Sequence, residues 1–377
     1  WEVAGATNRR DLGCPLRRRA SVKAIDAPSG RKLMMTTGSR ACPVSRNHHP
    51  NLWPPFTSIT TTPPLEQVVR GEGALLHRAE GGPLIDGISS WWVTLHGHGE
   101  PCIAEAIGHQ AKELEQVIFA NFRHGPASTL ATRLCGKWDG LDRMFFSDNG
   151  STAVEVALKM AWQHCQREAP ERQQVIAFDG AYHGDTFGAM ALGERGLFSA
   201  PFEPLLFAVA RAPWPATWWG DGEIEQKEAQ ALQRLDELLQ TPTAAVIFEP
   251  LLQGAGGMAM VRETFLQAVE QRAHAAGALV IADEVLTGFG RSGSLFASHR
   301  AGIAPDIVSL SKGLTAGFLP MGVTLASEAL YQSFVGPEPD RTFFHGHSFT
   351  ANPLGCAAAV ASLELLEREP QRYTSIE

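Results

Sequence analysis

Short apolar runs alternate with longer amphipathic stretches from about residue 84 onward. Residues 101–120 carry apolar side chains at a period of about 3.6 residues, which predicts a helix. Strands that alternate with helices predict an α/β fold, with a mostly parallel central sheet covered by helices on both faces. Further helices are predicted over residues 152–165 and 264–276, and strands over residues 143–147, 175–178, 244–248, 278–282, 307–310 and 322–326.

Polar residues directly follow several of the predicted strands. In a parallel sheet of this kind, ligands bind beyond the carboxyl ends of the strands, so these residues are the first candidates for chemistry. They are residues 147–151, residues 182–185, Glu249, Asp283 and Lys312.

Lysine is scarce in this chain, and its distribution singles out one residue. Of the seven lysines, only Lys312 follows a predicted buried strand; the others lie in the N-terminal arm, in amphipathic helices or in polar stretches. A lysine at the end of a desolvated strand has a lowered pKa and can act as an amine nucleophile. A surface lysine in a strand-to-loop connection is the alternative interpretation of the same position.

Asp283 ends the apolar run 278–282, so a charged side chain emerges from a predicted buried strand. A buried carboxylate needs a partner. A pyridinium nitrogen is one such partner, because a carboxylate keeps that ring protonated and the protonated ring is the electron sink of pyridoxal-phosphate (PLP) chemistry. A helix N-cap or a structural ion pair is the alternative. An aspartate and a lysine at two neighbouring strand ends favour the cofactor interpretation.

An anion site is predicted where residues 148–151 lead into the helix 152–165. Gly150 allows a close approach of the backbone, and Ser151 and the free N–H groups of the first turn can bind a phosphate with help from the helix dipole. The same residues are also typical of an ordinary helix cap.

Two aromatic positions are candidates for contacts with a cofactor or substrate. Tyr182 lies in a glycine-flanked loop after a predicted strand, where its ring could stack on a flat cofactor. Trp91 and Trp92 form a pair that could line a substrate pocket. Packing in the protein core is the alternative for all three side chains.

Composition and charge narrow the classes of protein further. A net charge of −8 argues against a general nucleic-acid binder, and no apolar run approaches the ~20 residues of a membrane helix. The six cysteines form no CxxC pair, so neither a metal site nor a disulfide framework is predicted, and a cytoplasmic location is expected. No Gly-x4-Gly-Lys-Ser/Thr motif is present, which argues against a nucleotide-dependent kinase or ligase.

The N-terminal residues 1–46 differ from the rest of the chain. They contain ten Lys/Arg against three Asp/Glu and show no amphipathic period, which predicts a disordered basic arm. A transit peptide is one interpretation. A misassigned translation start is the other, and it is favoured because Met34 and Met35 lie just before the patterned region.

Three ordered motifs carry a resemblance to a known family. Residues 249–257 (EPLLQGAGG), 282–291 (ADEVLTGFGR) and 311–315 (SKGLT) resemble the class III aminotransferases of PLP fold type I. Within that family, the chain is similar to the branch that converts 8-amino-7-oxononanoate to 7,8-diaminononanoate in biotin biosynthesis. That similarity lies in residues 52–57 (LWPPFT), 88–92 (ISSWW), 180–190 (GAYHGDTFGAM) and 345–354 (HGHSFTANPL), and the resemblance covers about residues 50–370.

The resemblance implies roles for the residues at the predicted strand ends. Lys312 would form the Schiff base with PLP and move the proton during a ping-pong transamination. Asp283 would pair with the pyridine nitrogen, and Gly150 and Ser151 would hold the phosphate. Tyr182 would stack on the ring and border the substrate.

The resemblance also implies substrate contacts and a homodimer. Trp91 and Phe56 would line the substrate pocket, although the family usually has tyrosine at the position of Phe56. Gly346 and Ser348 would reach the phosphate of the partner subunit's cofactor, with Gly346 also near the substrate, so the active site would lie at the dimer interface.

The resemblance implies a two-domain organisation. Residues 47–100 would begin the small domain, residues 101–340 would form the large PLP-binding domain, and residues 341–377 would begin a C-terminal segment. Family members continue beyond that point and carry an arginine for the substrate carboxylate there, so a truncated and inactive PLP-binding remnant is one alternative. Another class III transaminase, acting on an ω-amino acid or a polyamine, is a second. The amino donor, S-adenosylmethionine or lysine, stays open.

Overall fold

The computed structural model describes residues 51–58 and 60–376; the basic arm predicted over residues 1–46 lies outside them. The chain divides into two compact units, residues 1–65 and residues 66–377. The described part of the first unit forms turns and bends, and Phe56 has a left-handed backbone with a φ of 52° there. The second unit contains the helices and strands given below.

The second unit combines three sheets with helices. Its strands are β1 (Val68–Glu72), β2 (Leu75–Arg78), β3 (Leu84–Ile85), β4 (Arg143–Ser147), β5 (Gln174–Phe178), β6 (Ala210–Ala212), β7 (Thr243–Phe248), β8 (Leu252–Gln253), β9 (Ala259–Met260), β10 (Leu279–Asp283), β11 (Ile307–Leu310) and β12 (Gly322–Ala326). Its α-helices are Pro101–Glu113, Gly125–Cys135, Gly150–Glu168, Phe187–Leu192, Ile224–Leu238, Glu263–Ala275, Ala297–Ala301, Glu328–Gln332, Pro353–Arg368 and Gln371–Thr374, and its 3-10 helices are Ala200–Leu205, Lys312–Thr315 and Pro339–Arg341.

The central sheet has seven strands in the order β4-β12-β11-β10-β7-β5-β6. Strands β11, β10, β7, β5 and β6 pair in parallel, whereas β12 runs antiparallel to both β11 and β4. The mostly parallel α/β fold predicted from the sequence is therefore confirmed. All six predicted strands are present, and β6 is a three-residue edge strand that the sequence pattern did not predict.

The two faces of the central sheet bury different helices. Side chains alternate along a strand, so neighbouring residues of β7 point to opposite faces. Ile247 packs with the helix Gly150–Glu168, and Phe248 packs with the helix Glu263–Ala275. Burial of both faces explains why β7 is a continuous apolar run without polar alternation.

One predicted helix ends earlier than its sequence pattern indicated. The helix predicted over residues 101–120 ends at Glu113, because Leu114 adopts an extended backbone (φ −160°, ψ 112°). The Gln110 side-chain amide donates to the Leu114 carbonyl at 2.9 Å and so satisfies a polar group beyond the helix end. The later apolar residues belong to a loop, and Ile118 is exposed.

The parallel strands bring their carboxyl ends to one edge of the sheet. Asp283, the last residue of β10, is paired in register with Ser309 of β11, three residues before Lys312. Glu249 directly follows β7. None of the described helices is long and apolar enough to cross a membrane.

Candidate active site

Lys312 begins the 3-10 helix that follows β11, and its backbone is left-handed with a φ of 36°. Left-handed backbone is uncommon for a residue with a Cβ and is often found at functional sites. Burial lowers the pKa of the Lys312 ammonium; the carboxylates of Asp283 and Glu249 oppose that shift, and the nearby Arg291 adds to it. Among the described residues, the Lys312 Nζ has no hydrogen-bond partner.

Asp283 is buried at the end of β10 and is held from two directions. Its Oδ2 lies 2.7 Å from Nδ1 of His183, and its Oδ1 accepts the N–H of Val285 at 3.0 Å. His183 is itself buried, and its Nε2 has no hydrogen-bond partner in the described part of the chain. His183 lies within the predicted candidate range 182–185, next to Tyr182, but the sequence indicated no specific role for it.

The loop after β4 forms a cradle at the start of the helix Gly150–Glu168. Asn149 caps this helix, its side chain accepting the N–H of Thr152 at 3.0 Å. Within the described residues, the N–H groups of Gly150 and Ser151 donate to no protein acceptor. Two free N–H groups at the start of a long helix are the features that bind an anion.

Glycine is required at two positions around this cradle. A Cβ at Gly150 would lie 2.6 Å from Cγ1 of Val285, and a Cβ at Gly184, whose φ is 128°, would overlap the Ser151 side chain. The Ser151 hydroxyl also bonds the hydroxyl of Thr186 at 2.7 Å. The residues present therefore fit a phosphate group, because the free N–H groups of Gly150 and Ser151 and the Ser151 hydroxyl together supply donors at the start of a long helix.

Tyr182 lies over the same edge of the sheet and is partly exposed. Its N–H donates to Oε1 of Glu249 at 3.1 Å, and its hydroxyl donates to Oδ2 of Asp185 at 3.0 Å. Glu249 also accepts the N–H of Gly254 at 3.0 Å. Burial, together with the charge of Asp283, raises the pKa of Glu249 to about 7. Burial and the neighbouring Asp185 raise the pKa of Tyr182.

Trp92 is the tryptophan whose ring lies over the lysine. The Lys312 Nζ is 5.5 Å from the Trp92 ring centroid. The Arg291 guanidinium donates to the Trp92 carbonyl at 2.6 Å, and burial lowers the pKa of Arg291. Trp91 is about half exposed, and its contact with a substrate stays a prediction.

A cleft of about 720 Å³ opens beside this tryptophan and arginine. Its walls are largely apolar and include Leu251, Met258 and Leu286. Trp92 and Arg291 also line it, together with three further charged residues, Arg262, Glu263 and Arg300. Apolar walls with a few polar groups are typical of small-molecule sites.

Three other predicted site residues lie in loops or turns. Gly346 and Ser348 are exposed in the loop before the helix Pro353–Arg368, where the Ser348 carbonyl accepts the Gln116 side-chain amide. Their contact with a partner subunit stays a prediction. Phe56 belongs to the first unit and is exposed, so its role at the substrate also stays a prediction.

Comparisons with known proteins agree on one family. The sequence profile of the family described as "Aminotransferase class-III" matches residues 57–373. The adenosylmethionine-8-amino-7-oxononanoate aminotransferase of Synechococcus elongatus is 60% identical over 320 residues, covering 84% of this chain and 76% of that protein. The Geobacter sulfurreducens protein of the same name is 42% identical over 330 residues, covering 85% of this chain and 73% of that protein.

Solved structures give the same result at the level of the fold. The enzyme of that name from Methanocaldococcus jannaschii superposes with a TM-score of 0.77 at 33% identity, covering 85% of this chain and 73% of that chain. An amine transaminase from an uncultivated Pseudomonas species, solved in its PLP-bound form, superposes with a TM-score of 0.80 at 31% identity, covering 86% and 76%. With the sheet, the strand-end residues and the profile match in agreement, this chain belongs to the class-III aminotransferases.

Proposed function

We propose that this chain is a PLP-dependent aminotransferase that converts 8-amino-7-oxononanoate to 7,8-diaminononanoate, the biotin-pathway reaction, in two successive half-reactions. The observation that carries the proposal is the Lys312 amine, whose pKa is lowered by burial and which shares one sheet edge with the buried carboxylate of Asp283. The 60% identity to the Synechococcus elongatus aminotransferase supports the substrate.

PLP, when bound, supplies an aldehyde that condenses with amines and a protonated ring that accepts electrons. Asp283 would hold the proton at the pyridine nitrogen. Its hydrogen bonds to His183 and to the N–H of Val285 fix the orientation of the carboxylate before the ligand arrives. Preorganisation of this kind saves the cost of ordering the group during the reaction.

The phosphate would be held by the N–H groups of Gly150 and Ser151 and by the Ser151 hydroxyl. The dipole of the 19-residue helix that begins at Gly150 favours negative charge at this end. Tyr182 would cover the ring, since its backbone is anchored on Glu249 and its hydroxyl on Asp185.

Lys312 would act as the base and acid of the amino transfer. Its lowered pKa increases the fraction of free amine near neutral pH, which is the form that removes a proton. The Nζ would take the proton from the Cα atom of the amino donor and deliver it to the C4′ atom of PLP. Trp92 lies over this amine, with its ring centroid 5.5 Å from the Nζ, and would limit the access of water from that side.

The substrate chain would lie in the apolar cleft beside Trp92 and Arg291. An aliphatic keto acid matches largely apolar walls that include arginine side chains. Solved ω-transaminases are also similar in structure, such as that from Thermomicrobium roseum, which superposes with a TM-score of 0.78 at 31% identity. An ω-amino-acid transaminase is therefore the second candidate, and the higher identity to the biotin-pathway enzymes favours the first.

The quaternary and domain predictions remain part of this proposal. A homodimer would place Gly346 and Ser348 at the phosphate of the partner subunit's cofactor. Residues 47–100 would begin the small domain, residues 101–340 would form the large domain, and residues 341–377 would begin the C-terminal segment. A cytoplasmic location is also proposed. Sedimentation of the PLP-loaded protein should give twice the chain mass; a monomer that binds PLP fully would contradict the dimer.

The test combines spectroscopy with a paired assay on the purified full chain. The visible absorbance of lysine-bound PLP should appear in the wild type, disappear in Lys312→Ala and persist in Lys112→Ala, a control on the helix Pro101–Glu113. Amino transfer to 8-amino-7-oxononanoate should be measured with S-adenosylmethionine and with lysine as donors. Persistent absorbance in Lys312→Ala would refute the lysine assignment. PLP binding without transfer from either donor would instead favour a non-catalytic remnant.

A further inference from the structure

The four residues Ser89–Trp92 form a left-handed turn directly beside the Lys312 site. Their φ values lie between 48° and 64°. Left-handed backbone is unfavourable for any residue with a Cβ and normally occurs at single positions. Four consecutive left-handed residues, two of them tryptophans, therefore need contacts that hold them in place.

Asp86 holds this turn from one side. Its Oδ1 accepts the N–H of Ser90 at 3.0 Å, and its Oδ2 accepts the Ser90 hydroxyl at 2.7 Å and lies 2.8 Å from His98 Nε2. The Asp86 side chain is 6% exposed, so water has little access to these bonds. His98 is anchored in turn by a pair of backbone hydrogen bonds with Gly73, between β1 and β2.

The other end of the turn is held against the lysine loop. Arg291 donates to the Trp92 carbonyl at 2.6 Å. A Cβ at Gly317, in the loop after Lys312, would lie 3.2 Å from the N atom of Thr94, so the two segments are in close contact. This arrangement places the Trp92 ring 5.5 Å from the Lys312 Nζ.

We propose that Asp86 is a positioning residue for Lys312: by holding Ser89–Trp92 in the left-handed turn, it keeps the Trp92 indole over the Lys312 amine. The catalytic role of Lys312 in this inference rests on the proposed function. The contacts of Asp86, Ser90 and Trp92 do not depend on it. Asp86 acts through Ser90 and Trp92, because its side chain bonds Ser90 and His98 and not Lys312 within the described residues.

The indole has two opposite effects on the amine. A ring face attracts a cation, which favours the ammonium, but 5.5 Å is near the ~6 Å limit of that attraction. Exclusion of water favours the neutral amine, in agreement with burial as the main cause of the lowered Lys312 pKa. The remaining charges that act on Lys312 are those of Asp283, Glu249 and Arg291. Displacing the indole should therefore raise the pKa of Lys312.

The test measures Lys312 itself in the PLP-free full chain. The rate of arylation by trinitrobenzenesulfonate is followed against pH, and the peptide containing Lys312 is quantified by mass spectrometry. In Asp86→Ala, the midpoint of the profile should move to higher pH, so that the normalised rate below the midpoint falls about three- to tenfold, a tenfold fall corresponding to one pH unit. The plateau at high pH corrects for altered access of the reagent.

The direction of the shift separates positioning from a direct charge effect. Removing the negative charge of Asp86 would by itself disfavour the ammonium and move the midpoint to lower pH. An unchanged or lowered midpoint in folded Asp86→Ala would overturn the proposal. Asp221→Ala is the control, since Asp221 is a similarly buried loop aspartate. It accepts hydrogen bonds from Thr217, the Glu223 N–H and the Lys227 ammonium, and the Lys312 midpoint in this variant should equal that of the wild type.

A rescue variant tests the turn directly. Glycine adopts left-handed backbone without a Cβ cost, so Asp86→Ala combined with Ser90→Gly should bring the midpoint back toward the wild-type value. Failure of this rescue would also overturn the proposal. If Asp86→Ala does not fold, Asp86→Asn is used instead, because asparagine keeps the side-chain shape but loses one acceptor. An unshifted Lys312 midpoint in Asp86→Asn would count against the proposal. None of these failures would affect the PLP absorbance and transfer assays that test the proposed function.

Discussion

Replacing Gly150 by alanine should disturb both the phosphate cradle and Asp283, the carboxylate proposed to bind the pyridine nitrogen. The new Cβ would lie 2.6 Å from Cγ1 and 3.0 Å from Cγ2 of Val285. Carbon atoms pack favourably at about 3.5–4.0 Å, so Val285 must move by roughly 1 Å. The N–H of Val285 donates to Oδ1 of Asp283, and the displacement therefore reaches that carboxylate.

The size of the effect follows from overpacking. Inserting a methyl group into a filled site destabilises the folded state by about 1–3 kcal/mol. Replacing glycine by alanine inside a helix stabilises it by about 0.5–1 kcal/mol, and the gain is no larger than this at the first residue of a helix. We expect Gly150→Ala to lower the free energy of unfolding by about 1–2 kcal/mol. PLP affinity should fall about tenfold for each 1.4 kcal/mol lost at the phosphate and carboxylate together.

Urea unfolding of the PLP-free protein and titration with PLP measure the two quantities. In the double variant Gly150→Ala/Val285→Ala the clash is absent, so the two changes should be non-additive by about 1 kcal/mol or more. Gly108→Ala is the matched control, because a Cβ there meets no atom within 4 Å in the helix Pro101–Glu113 and should leave PLP binding unchanged. Wild-type stability and affinity in Gly150→Ala, or strict additivity with Val285→Ala, would refute the reasoning.

Two further predictions concern charge. The pKa of Glu249 is raised from 4.5 to about 7, so its contribution to stability is present at low pH and is lost as pH rises through about 7. Glu249→Gln should therefore flatten the pH dependence of the free energy of unfolding between about pH 4.5 and 7, and an unchanged slope would show that another group is responsible. The Arg291 guanidinium lowers the pKa of Lys312 and donates to the Trp92 carbonyl. Arg291→Gln should therefore move the midpoint of Lys312 arylation to higher pH, and a midpoint at or below the wild-type value would contradict this.

Much of the fold could be predicted from hydrophobic periodicity. Strand β7 is a continuous apolar run because both faces of the sheet are covered, and the helix Gly150–Glu168 has a capping signal at Asn149 that needs only local sequence. The predicted helix end at residue 120 was wrong: the helix ends at Glu113, and the apolar residues that follow lie in a loop. A helix end of this kind depends on the backbone of one residue, Leu114, which periodicity does not reveal.

The left-handed turn Ser89–Trp92 could not be predicted from the sequence either, because it depends on backbone conformation and on distant contacts. No glycine lies within Ser89–Trp92, so the usual sequence signal of positive φ is missing. Its supports come from Asp86, three residues before the turn, and from Arg291, far along the chain. The pairing of His183 with Asp283 is likewise a contact across 100 residues, and only the neighbouring Tyr182 signalled that the loop was of interest.

The sequence alone determined six of the seven strands of the central sheet, their alternation with helices, and the positions of Lys312 and Asp283 at the ends of buried strands. These features are local, since apolar periodicity and a polar residue at a strand end need no knowledge of distant contacts. The tertiary structure decided that Trp92 covers the lysine amine, that His183 orients Asp283, and that Gly150 abuts Val285. Each of these depends on the order of the strands in the sheet and on side chains that meet only after the chain has packed, so no spacing along the sequence encodes them.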